Sequence, residues 1–224
     1  MTFSITARCA RTGMFGVAVS SSSPAVAARC AHARAGIGAV ASQNVTDPTL
    51  GPKTLDLLER GASAAEAIAI LRRTAPHREY RQVAVVDATG EPAIHSGHEV
   101  LGTFAETLRQ NLVCAGNLLA DQAVTSAMAD TFQETEGHLG DRLLAAMQAA
   151  LDAGGEEGPV RSAGLYLVDK TPFPLADLRC DWTEDCPIAA VAEAWQIYKP
   201  QMQAYVTRAL DPSSAPSYGV PGDT

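Results

Sequence analysis

The amino-acid sequence predicts a single α+β domain in which two antiparallel sheets pack face to face with helices outside. Three features indicate this class. Strand-like segments occur in hairpin-like pairs, pairs of helices separate them, and the strict strand–helix alternation of a Rossmann sheet is missing. The chain has 224 residues, 46% of them hydrophobic, which suffices for one sizeable core. We place this domain at residues 1–210 and expect a flexible tail, rich in Pro, Ser and Gly, at residues 211–224.

The domain begins with a predicted hairpin. Residues 2–8 alternate in polarity as the first strand, Gly13 lies in the turn, and residues 14–20 form the antiparallel partner. Residues 36–41 are an apolar run with two glycines, which predicts a third strand. This strand leads into a polar loop at residues 42–47.

Two helices are expected next. Pro52 suits the start of a helix that runs through Leu58, because the first turn of a helix leaves its N–H groups unbonded. Ser63 caps the following helix, and Glu66, three residues later, is its capping-box partner. This second helix ends before Pro76.

The remaining elements again come in pairs. They are strands at residues 82–87, 92–96 and 112–119, helices at 121–135 and 139–152, strands at 162–168 and 176–180, and one long helix at 187–209. The last helix carries Trp195, Ile197 and Tyr198 on its apolar side. That large apolar side favours a homo-oligomer.

Charge and hydropathy exclude several classes of partner. The net charge of −8 repels phosphate backbones and argues against nucleic acid as a partner. No apolar run reaches the roughly 18 residues that would span a membrane. Residues 1–6 alternate in polarity, whereas a signal peptide needs a continuous apolar stretch. The five cysteines are scattered, with no Cys-x-x-Cys pair, which is typical of reduced thiols. We therefore expect a cytoplasmic protein.

Thr2 is the candidate nucleophile. The initiator methionine is commonly removed when the second residue is small, and Thr2 would then carry a free α-amine. An α-amine has a pKa of about 8, so it can accept the hydroxyl proton while the hydroxyl attacks a carbonyl carbon. The alternative is that Thr2 only begins a strand.

Polar residues in two places are candidates for binding an oxyanion. The glycine-rich third strand ends in Ser42-Gln43-Asn44, where backbone N–H groups and the amides of Gln43 and Asn44 could donate hydrogen bonds. Asn117 follows Gly116 within an apolar run, so it either fixes a bend or donates to an oxyanion. An ordinary strand-to-helix connection remains the alternative for the first place.

Two further positions are candidates for orienting the nucleophile or the substrate. The hairpin turn brings Ser20 and Ser21 near the chain start, where a hydroxyl could orient the Thr2 amine; the alternative is a plain hydroxyl-rich loop. Arg81 could bind a substrate carboxylate with two hydrogen bonds. It could instead pair with an acid such as Asp87 or Asp177.

Metal and cofactor sites are not expected. His95 and His98 diverge on a predicted strand and turn, and the sequence brings no third ligand near them. The pair Gly36 and Gly38 lacks the remaining glycine of a dinucleotide fingerprint. Neither a Gly-x-Ser-x-Gly elbow nor a Walker A loop occurs.

Several segments in combination resemble the family called domain of unknown function 1028, DUF1028, over about residues 2–195. The opening strand begins Thr2-Phe3-Ser4-Ile5, and Gly116-Asn117 lies in a later matching strand. All matching segments are residues 2–5, 16–20, 33–43, 79–83, 86–87, 115–119, 135–137, 162–165, 177–179 and 187–188.

This resemblance implies the N-terminal-nucleophile (Ntn) hydrolase fold, a four-layer αββα sandwich. It implies that Thr2 is the nucleophile and that the Gln43–Asn44 backbone or Asn117 supplies the oxyanion donors. Proteasome subunits of this fold place a lysine beside the nucleophile, whereas the only lysines here lie elsewhere, at Lys53, Lys170 and Lys199. Penicillin-acylase-like members manage without such a lysine.

The function hypothesis is an amidohydrolase that cleaves a small amide bond through Thr2 without metal or cofactor. One alternative is a non-catalytic protein that binds a small molecule on the same fold. Another is a cyclohydrolase-like enzyme that uses polar side chains such as Arg81 instead of Thr2.

Overall fold

The computed structural model describes residues 1–220 and shows a mixed α+β fold. The strands are β1 (Thr2–Arg8), β2 (Phe15–Ser21), β3 (Ala31–Arg34), β4 (Gly38–Asn44), β5 (Arg81–Asp87), β6 (Pro92–Ser96), β7 (Ala105–Arg109), β8 (Leu112–Asn117), β9 (Ser162–Val168) and β10 (Ala176–Cys180). The α-helices are α1 (Val26–Cys30), α2 (Leu50–Glu59), α3 (Ala64–Thr74), α4 (Ala123–Glu134), α5 (Leu139–Asp152), α6 (Pro187–Tyr198) and α7 (Met202–Leu210). A single 3₁₀ turn, Arg78–Tyr80, precedes β5.

The strands form two antiparallel sheets. The larger sheet has six strands in the order β10-β9-β2-β1-β8-β7, and the smaller has four in the order β3-β4-β5-β6. Strand β1 lies in the middle of the larger sheet, where Phe3 pairs with Ser20 of β2 and Thr2 pairs with Asn117 of β8. The first residues of β1 are therefore held on both sides by main-chain pairing.

Alternation along the strands separates the two faces of each sheet. On β1, Phe3 and Ile5 point into a core shared with α4, α5 and α6, while Ser4 points to the other sheet. A second core lies between the sheets and contains Val17 and Ala41. Helices α2 and α3 cover the far face of the smaller sheet. The two sheets thus pack face to face with helices on both outer faces.

Trp195 anchors α6 onto α5. Its side chain is fully buried, and its indole N–H donates to the Asp141 carboxylate at 2.8 Å. Lys199 binds the same carboxylate at 2.6 Å. The indole lies directly over Gly140, so that a Cβ on Gly140 would approach it to 2.6 Å. A small residue is therefore required at position 140.

Helix α3 is fixed at its start in two ways. The predicted capping box is confirmed, since Ser63 Oγ accepts from the Glu66 N–H and the Glu66 carboxylate accepts from the Ser63 N–H. In addition, the Ala64 N–H donates to Asp87 on β5 at 2.9 Å. The carboxylate binds an otherwise unbonded N–H in the first turn and ties the helix to the sheet.

The predicted long helix at 187–209 is wrong in its continuity. The structure has two helices there, α6 and α7, separated around Pro200. Proline lacks an N–H donor and its ring crowds the preceding turn, so an uninterrupted helix is disfavoured. The predicted loop at 42–47 also begins later, since β4 extends through Asn44.

Four short elements were not predicted: α1, β3, β7 and the 3₁₀ turn at Arg78–Tyr80. Strand β7 forms an edge of the larger sheet, and its side chains alternate between half-buried and exposed. Residues 211–220 contain neither helix nor strand, and flexibility of the tail stays a prediction, with residues 221–224 lying outside the described part. Within residues 1–220, none of the helices combines the length and apolar character needed to cross a membrane.

Candidate active site

The space between the sheets changes from apolar to polar along β1. Near the far end of the strand it is filled by side chains such as Val17, Val86 and Val113. Near the start of the strand, buried polar side chains replace them: Thr2, Ser4, Gln43, Gln82 and Asn117. Buried polar groups are costly unless they bond to one another, so such a cluster at one end of a core marks a candidate site.

Thr2 lies within this polar end and is only 5% exposed. Its Oγ1 donates to the Met1 carbonyl oxygen at 2.5 Å and lies 3.3 Å from Ser21 Oγ. The Ser21 hydroxyl donates to the same Met1 carbonyl oxygen. The hydroxyl of Thr2, the candidate nucleophile, and the hydroxyl of Ser21 thus both donate to one carbonyl oxygen.

A chain of side-chain hydrogen bonds links the two sheets next to Thr2. Ser4 Oγ on β1 donates to Gln43 Oε1 on β4 at 2.6 Å. Gln43 Nε2 donates to Gln82 Oε1 on β5 at 2.8 Å, and Gln82 Nε2 donates to Ser96 Oγ at 3.0 Å. Asn117 Nδ2 closes the chain by donating to Gln82 Oε1 at 3.3 Å. We call Ser4, Gln43, Gln82 and Asn117 the inter-sheet network.

One atom of this network has no partner. Asn117 Oδ1 is buried and accepts no hydrogen bond within the described residues. Asn117 is the residue opposite Thr2, and facing residues of an antiparallel pair put their side chains on the same face. An unused acceptor therefore lies on the Thr2 side of the network.

Glu156 adds a carboxylate to the site from the loop after α5. The residue pairs with Leu119 in an isolated bridge and is only 5% exposed. Its Oε2 accepts the Ser22 N–H at 3.1 Å, whereas its Oε1 is buried without a partner among residues 1–220. Burial raises the pKa of Glu156 to about 7, and the Met1 α-amine and the Ser22 N–H limit the increase.

Of the residues predicted for the site, Thr2, Gln43 and Asn117 come together in the inter-sheet space. Ser20 does not join them. It pairs with Phe3 and shares the helix-facing side of the sheet, where its hydroxyl donates to the Ser162 carbonyl at 3.0 Å. Because side chains alternate along a strand, Ser21 faces Thr2 in its place.

Asn44 serves to hold loops together. Its backbone is left-handed, with φ 71°, and its Nδ2 donates to the Tyr80 carbonyl at 2.7 Å. Its Oδ1 accepts the Leu101 N–H at 3.2 Å. Its Nδ2 also donates to the Glu99 carbonyl at 3.4 Å, so both amide hydrogens are used within the protein and none is left for a substrate oxyanion.

Arg81 also bonds to the protein. Its guanidinium donates to the Val45 carbonyl. The acids considered as partners are used otherwise, since Asp177 pairs with Arg179 at 2.7 Å and Asp87 accepts backbone N–H groups. Arg81 therefore holds the loop after β4 in place.

Sequence reasoning missed Ser4, Gln82 and Glu156 at this site. Ser4 and Gln82 were assigned to strands, but the face they occupy depends on how the two sheets are stacked. Glu156 lies in a glycine-rich loop and becomes notable only because that loop reaches Ser22. No local pattern around these residues marks them as members of one cluster.

The two histidines considered as metal ligands are separated. His95 is buried and contacts Arg72 and the Arg78 carbonyl, whereas His98 is exposed beside Glu79. Across residues 1–220, no group of three or more His, Cys, Asp or Glu residues has an arrangement that could hold a metal ion.

Comparison with known proteins gives a family and a structural relative. The model of a family of unknown function, DUF1028, matches residues 2–191. A crystal structure of a DUF1028 protein from Silicibacter pomeroyi superposes with a TM-score of 0.82 at 29% identity, covering 88% of this chain and 89% of that one. Anbu, an ancestral beta-subunit from Yersinia bercovieri, has a TM-score of 0.39 at 13% identity over 91% of this chain and 97% of its own. No curated protein matches the chain.

Proposed function

The chain belongs to the DUF1028 family, as its motifs predicted, and on that premise we propose that it is an Ntn-type amidohydrolase that cleaves a small amide bond through Thr2. The proposal includes removal of Met1 and assignment of the fold to the four-layer αββα sandwich of Ntn hydrolases. Support for the fold comes from the helices on both outer faces and from the position of Thr2 at the start of a central strand.

One observation carries the proposal: the Met1 carbonyl oxygen lies between the hydroxyls of Thr2 and Ser21. The two hydroxyls bind a carbonyl oxygen beside Thr2, and a hydrogen-bond donor to that oxygen is one of the parts that acyl transfer needs. The Ser21 hydroxyl is itself held by the Ser23 N–H, which donates to it at 3.1 Å. The donor is therefore positioned before a substrate arrives.

The reaction follows from these groups. With Met1 removed, the Thr2 amine accepts the Oγ1 proton while Oγ1 attacks the substrate carbonyl carbon. The carbonyl electron pair moves to the oxygen, and the Ser21 hydroxyl donates a hydrogen bond to that oxyanion. As the C–N bond breaks, the Thr2 ammonium gives its proton to the leaving nitrogen. Water then hydrolyses the threonyl ester, with the amine again as the base, which releases the acid and restores Thr2.

Asn117 has a positioning role in this scheme. Its Nδ2 already donates to Gln82, so the atom that faces Thr2 unbonded is the acceptor Oδ1. An acceptor can orient the Thr2 amine, which is a donor. In the proposal, the oxyanion donor is therefore the Ser21 hydroxyl, and Asn117 holds the base.

The contact of Arg81 with the Val45 carbonyl holds a loop and gives the cyclohydrolase-like alternative no support, while the Nε of Arg81 has no partner among residues 1–220. The experiment below distinguishes the other alternative, a non-catalytic binding protein, from an amidohydrolase.

The test compares variants of the processed protein. Intact mass first establishes that Met1 is absent, and the protein is then assayed against a panel of amide and N-acyl compounds. We expect Thr2→Ala to lower turnover by at least about 1000-fold and Thr2→Ser to retain measurable turnover.

The matched control is Thr6→Ala. Thr6 is buried on the same strand, and its hydroxyl has no partner among residues 1–220. If both variants are folded and Thr2→Ala turns over substrate as fast as Thr6→Ala, the proposal is contradicted. Binding of an amide without turnover by the processed wild type would favour the non-catalytic alternative.

Homo-oligomerisation also stays a proposal. Trp195 is fully buried within the chain, but Ile197 on the same helix is 64% exposed and Leu210 on α7 is 63% exposed. Ile197 is a part of the predicted apolar side that is available to a second copy, and Leu210 is a further exposed apolar side chain nearby in sequence. Sedimentation equilibrium measures whether the chain associates.

A further inference from the structure

We infer that the site takes substrates whose acyl group carries a free α-amine, that is, α-aminoacyl amides, and that Glu156 binds the ammonium group. This inference rests on the proposed function, because it assigns the acyl half of the substrate to a place beside Thr2. Three observations carry it.

The first is the position of Met1. Thr2 Oγ1 lies 2.5 Å from the Met1 carbonyl oxygen, so the Met1 acyl group lies next to the place that an acyl group on Oγ1 would occupy. Met1 is bonded to the Thr2 nitrogen, whereas a substrate acyl group would be bonded to Oγ1 of the same residue. Met1 therefore stands in for the acyl half of a substrate, with its carbonyl oxygen at the Ser21 hydroxyl.

The second is the buried carboxylate of Glu156, which is bonded to Ser22, the residue next to Ser21. Glu156 interacts with the charge of the Met1 α-amine, and the side chain is held by the Ser22 N–H through one oxygen alone. The other oxygen, Oε1, is buried and has no partner in the described residues. An unpaired buried carboxylate oxygen is costly, and an ammonium donor from a ligand would satisfy it.

The third is the space for the rest of the acyl group. The Met1 side chain runs past Gly158, where an added Cβ would lie 3.5 Å from Met1 Cε. The same short loop, residues 156–158, thus carries Gly158 beside the Met1 side chain and Glu156, whose pKa the charge of the Met1 α-amine lowers. A neighbouring strand-end segment supplies Ser21, which contacts the carbonyl.

Glu156 could alternatively interact with the amine of Thr2 itself once Met1 has been removed. The two roles differ in what a substrate must carry. If Glu156 binds the substrate, its removal affects only compounds with a free α-amine. If it acts on Thr2, its removal affects all compounds equally.

The experiment compares methionine p-nitroanilide with N-acetylmethionine p-nitroanilide at pH 7.5, using processed protein. We expect the wild type to prefer the free amine by about 10-fold to 100-fold in kcat/KM. Glu156→Gln should bring this ratio close to one. Glu157→Gln, which alters the adjacent but exposed carboxylate, should leave the ratio unchanged.

In the hydrolysis assay, two results would overturn the inference: preference of the wild type for the acetylated compound, or an equal loss on both compounds in Glu156→Gln. A binding measurement covers the case in which neither compound is hydrolysed. Calorimetry on the processed Thr2→Ala variant should show tighter binding of methioninamide than of N-acetylmethioninamide, and Glu156→Gln added to that variant should remove the difference. Failure of hydrolysis with this binding pattern contradicts the proposed function alone, whereas equal or absent binding of the two amides contradicts the aminoacyl specificity.

Discussion

Asn117 lies directly opposite Thr2 on the neighbouring strand β8, with its Oδ1 buried and unbonded among the described residues. The pairing gives both side chains the same face of the sheet. The residue that begins the chain's central strand thus has an acceptor beside it, and the remainder of that amide is fixed by Gln82.

We expect Asn117→Ala to lower kcat by about 100-fold, because the Thr2 amine would lose the group that orients it as a base. The lost hydrogen bond to Gln82 should cost about 1 kcal/mol of unfolding free energy. Ser96→Ala is the matched control, since it removes another bond to Gln82 without a contact to Thr2. Equal kcat values for the two variants would contradict the assigned role; steady-state kinetics and urea unfolding measure both effects.

The second prediction concerns pH and Glu156. Burial raises its pKa to about 7, against an ordinary value of 4.5, so the folded state binds this proton more tightly than the unfolded state. The contribution to stability is complete below pH 4.5 and is lost as the pH rises through 7. Glu156→Gln should remove this loss, which is about 3 kcal/mol. Urea unfolding at pH 5 and pH 8.5 measures it, and a wild-type-like pH dependence in Glu156→Gln would contradict the burial argument. Glu157→Gln should follow the wild type.

The third prediction concerns Asp87. Burial alone would raise its pKa, but hydrogen bonds from Ala64, Thr89 and Glu91 outweigh burial and lower the pKa below its ordinary value. Asp87→Asn should therefore lower the free energy of unfolding by about 2 kcal/mol at pH 7, because the new amide nitrogen is a donor and would point at backbone N–H groups that are also donors. The folded pKa is depressed, so the wild-type advantage is present above the ordinary value of 3.8 and disappears as the pH falls through the folded value.

Urea unfolding at pH 7 and pH 3 checks this prediction. The difference in unfolding free energy between wild type and Asp87→Asn should be large at pH 7 and small at pH 3. Asp185→Asn, at an exposed position, should show no gap at either pH. A constant gap for Asp87→Asn would mean that the carboxylate charge is not what stabilises the start of α3.

The fourth prediction concerns Gly140. An added methyl group would lie 2.6 Å from the buried Trp195 ring, so Gly140→Ala should destabilise the fold by about 1–3 kcal/mol, although alanine favours helices. In a Trp195→Ala background the same substitution should no longer destabilise. Thermal unfolding of the wild type, the two single variants and the double variant gives a double-mutant cycle. If Gly140→Ala still lowers stability when the indole is absent, the packing argument is contradicted.

Local sequence signals predicted the elements that local chemistry decides. Ser63 and Glu66 marked a helix start because a capping box is built within four residues. The alternation of residues 2–8 marked β1 for the same reason. Pro200 carries a local signal for the break between α6 and α7, and the prediction of one long helix did not use it.

The site was predicted only in part, because it depends on which faces meet. Ser20 and Ser21 are adjacent in sequence, and a shift of one residue in the strand decides which of them faces Thr2. Glu156 lies 134 residues from Ser22, and only the folded chain brings its carboxylate to that N–H. The strand that carries the candidate nucleophile could be found from the sequence, whereas the groups around it could not.

The inter-sheet network also has a consequence for how the two sheets find their alignment. Much of the surface between the sheets consists of small side chains such as Ala39, Ala41, Ala84 and Ala115. Smooth surfaces of this kind tolerate sliding, because a shifted alanine loses little contact. A shift of either sheet would instead separate Ser4 from Gln43 and Asn117 from Gln82 and leave buried amides unpaired. The polar end thus fixes the alignment of the two sheets. It selects one stacking position from several that the apolar surfaces alone would accept.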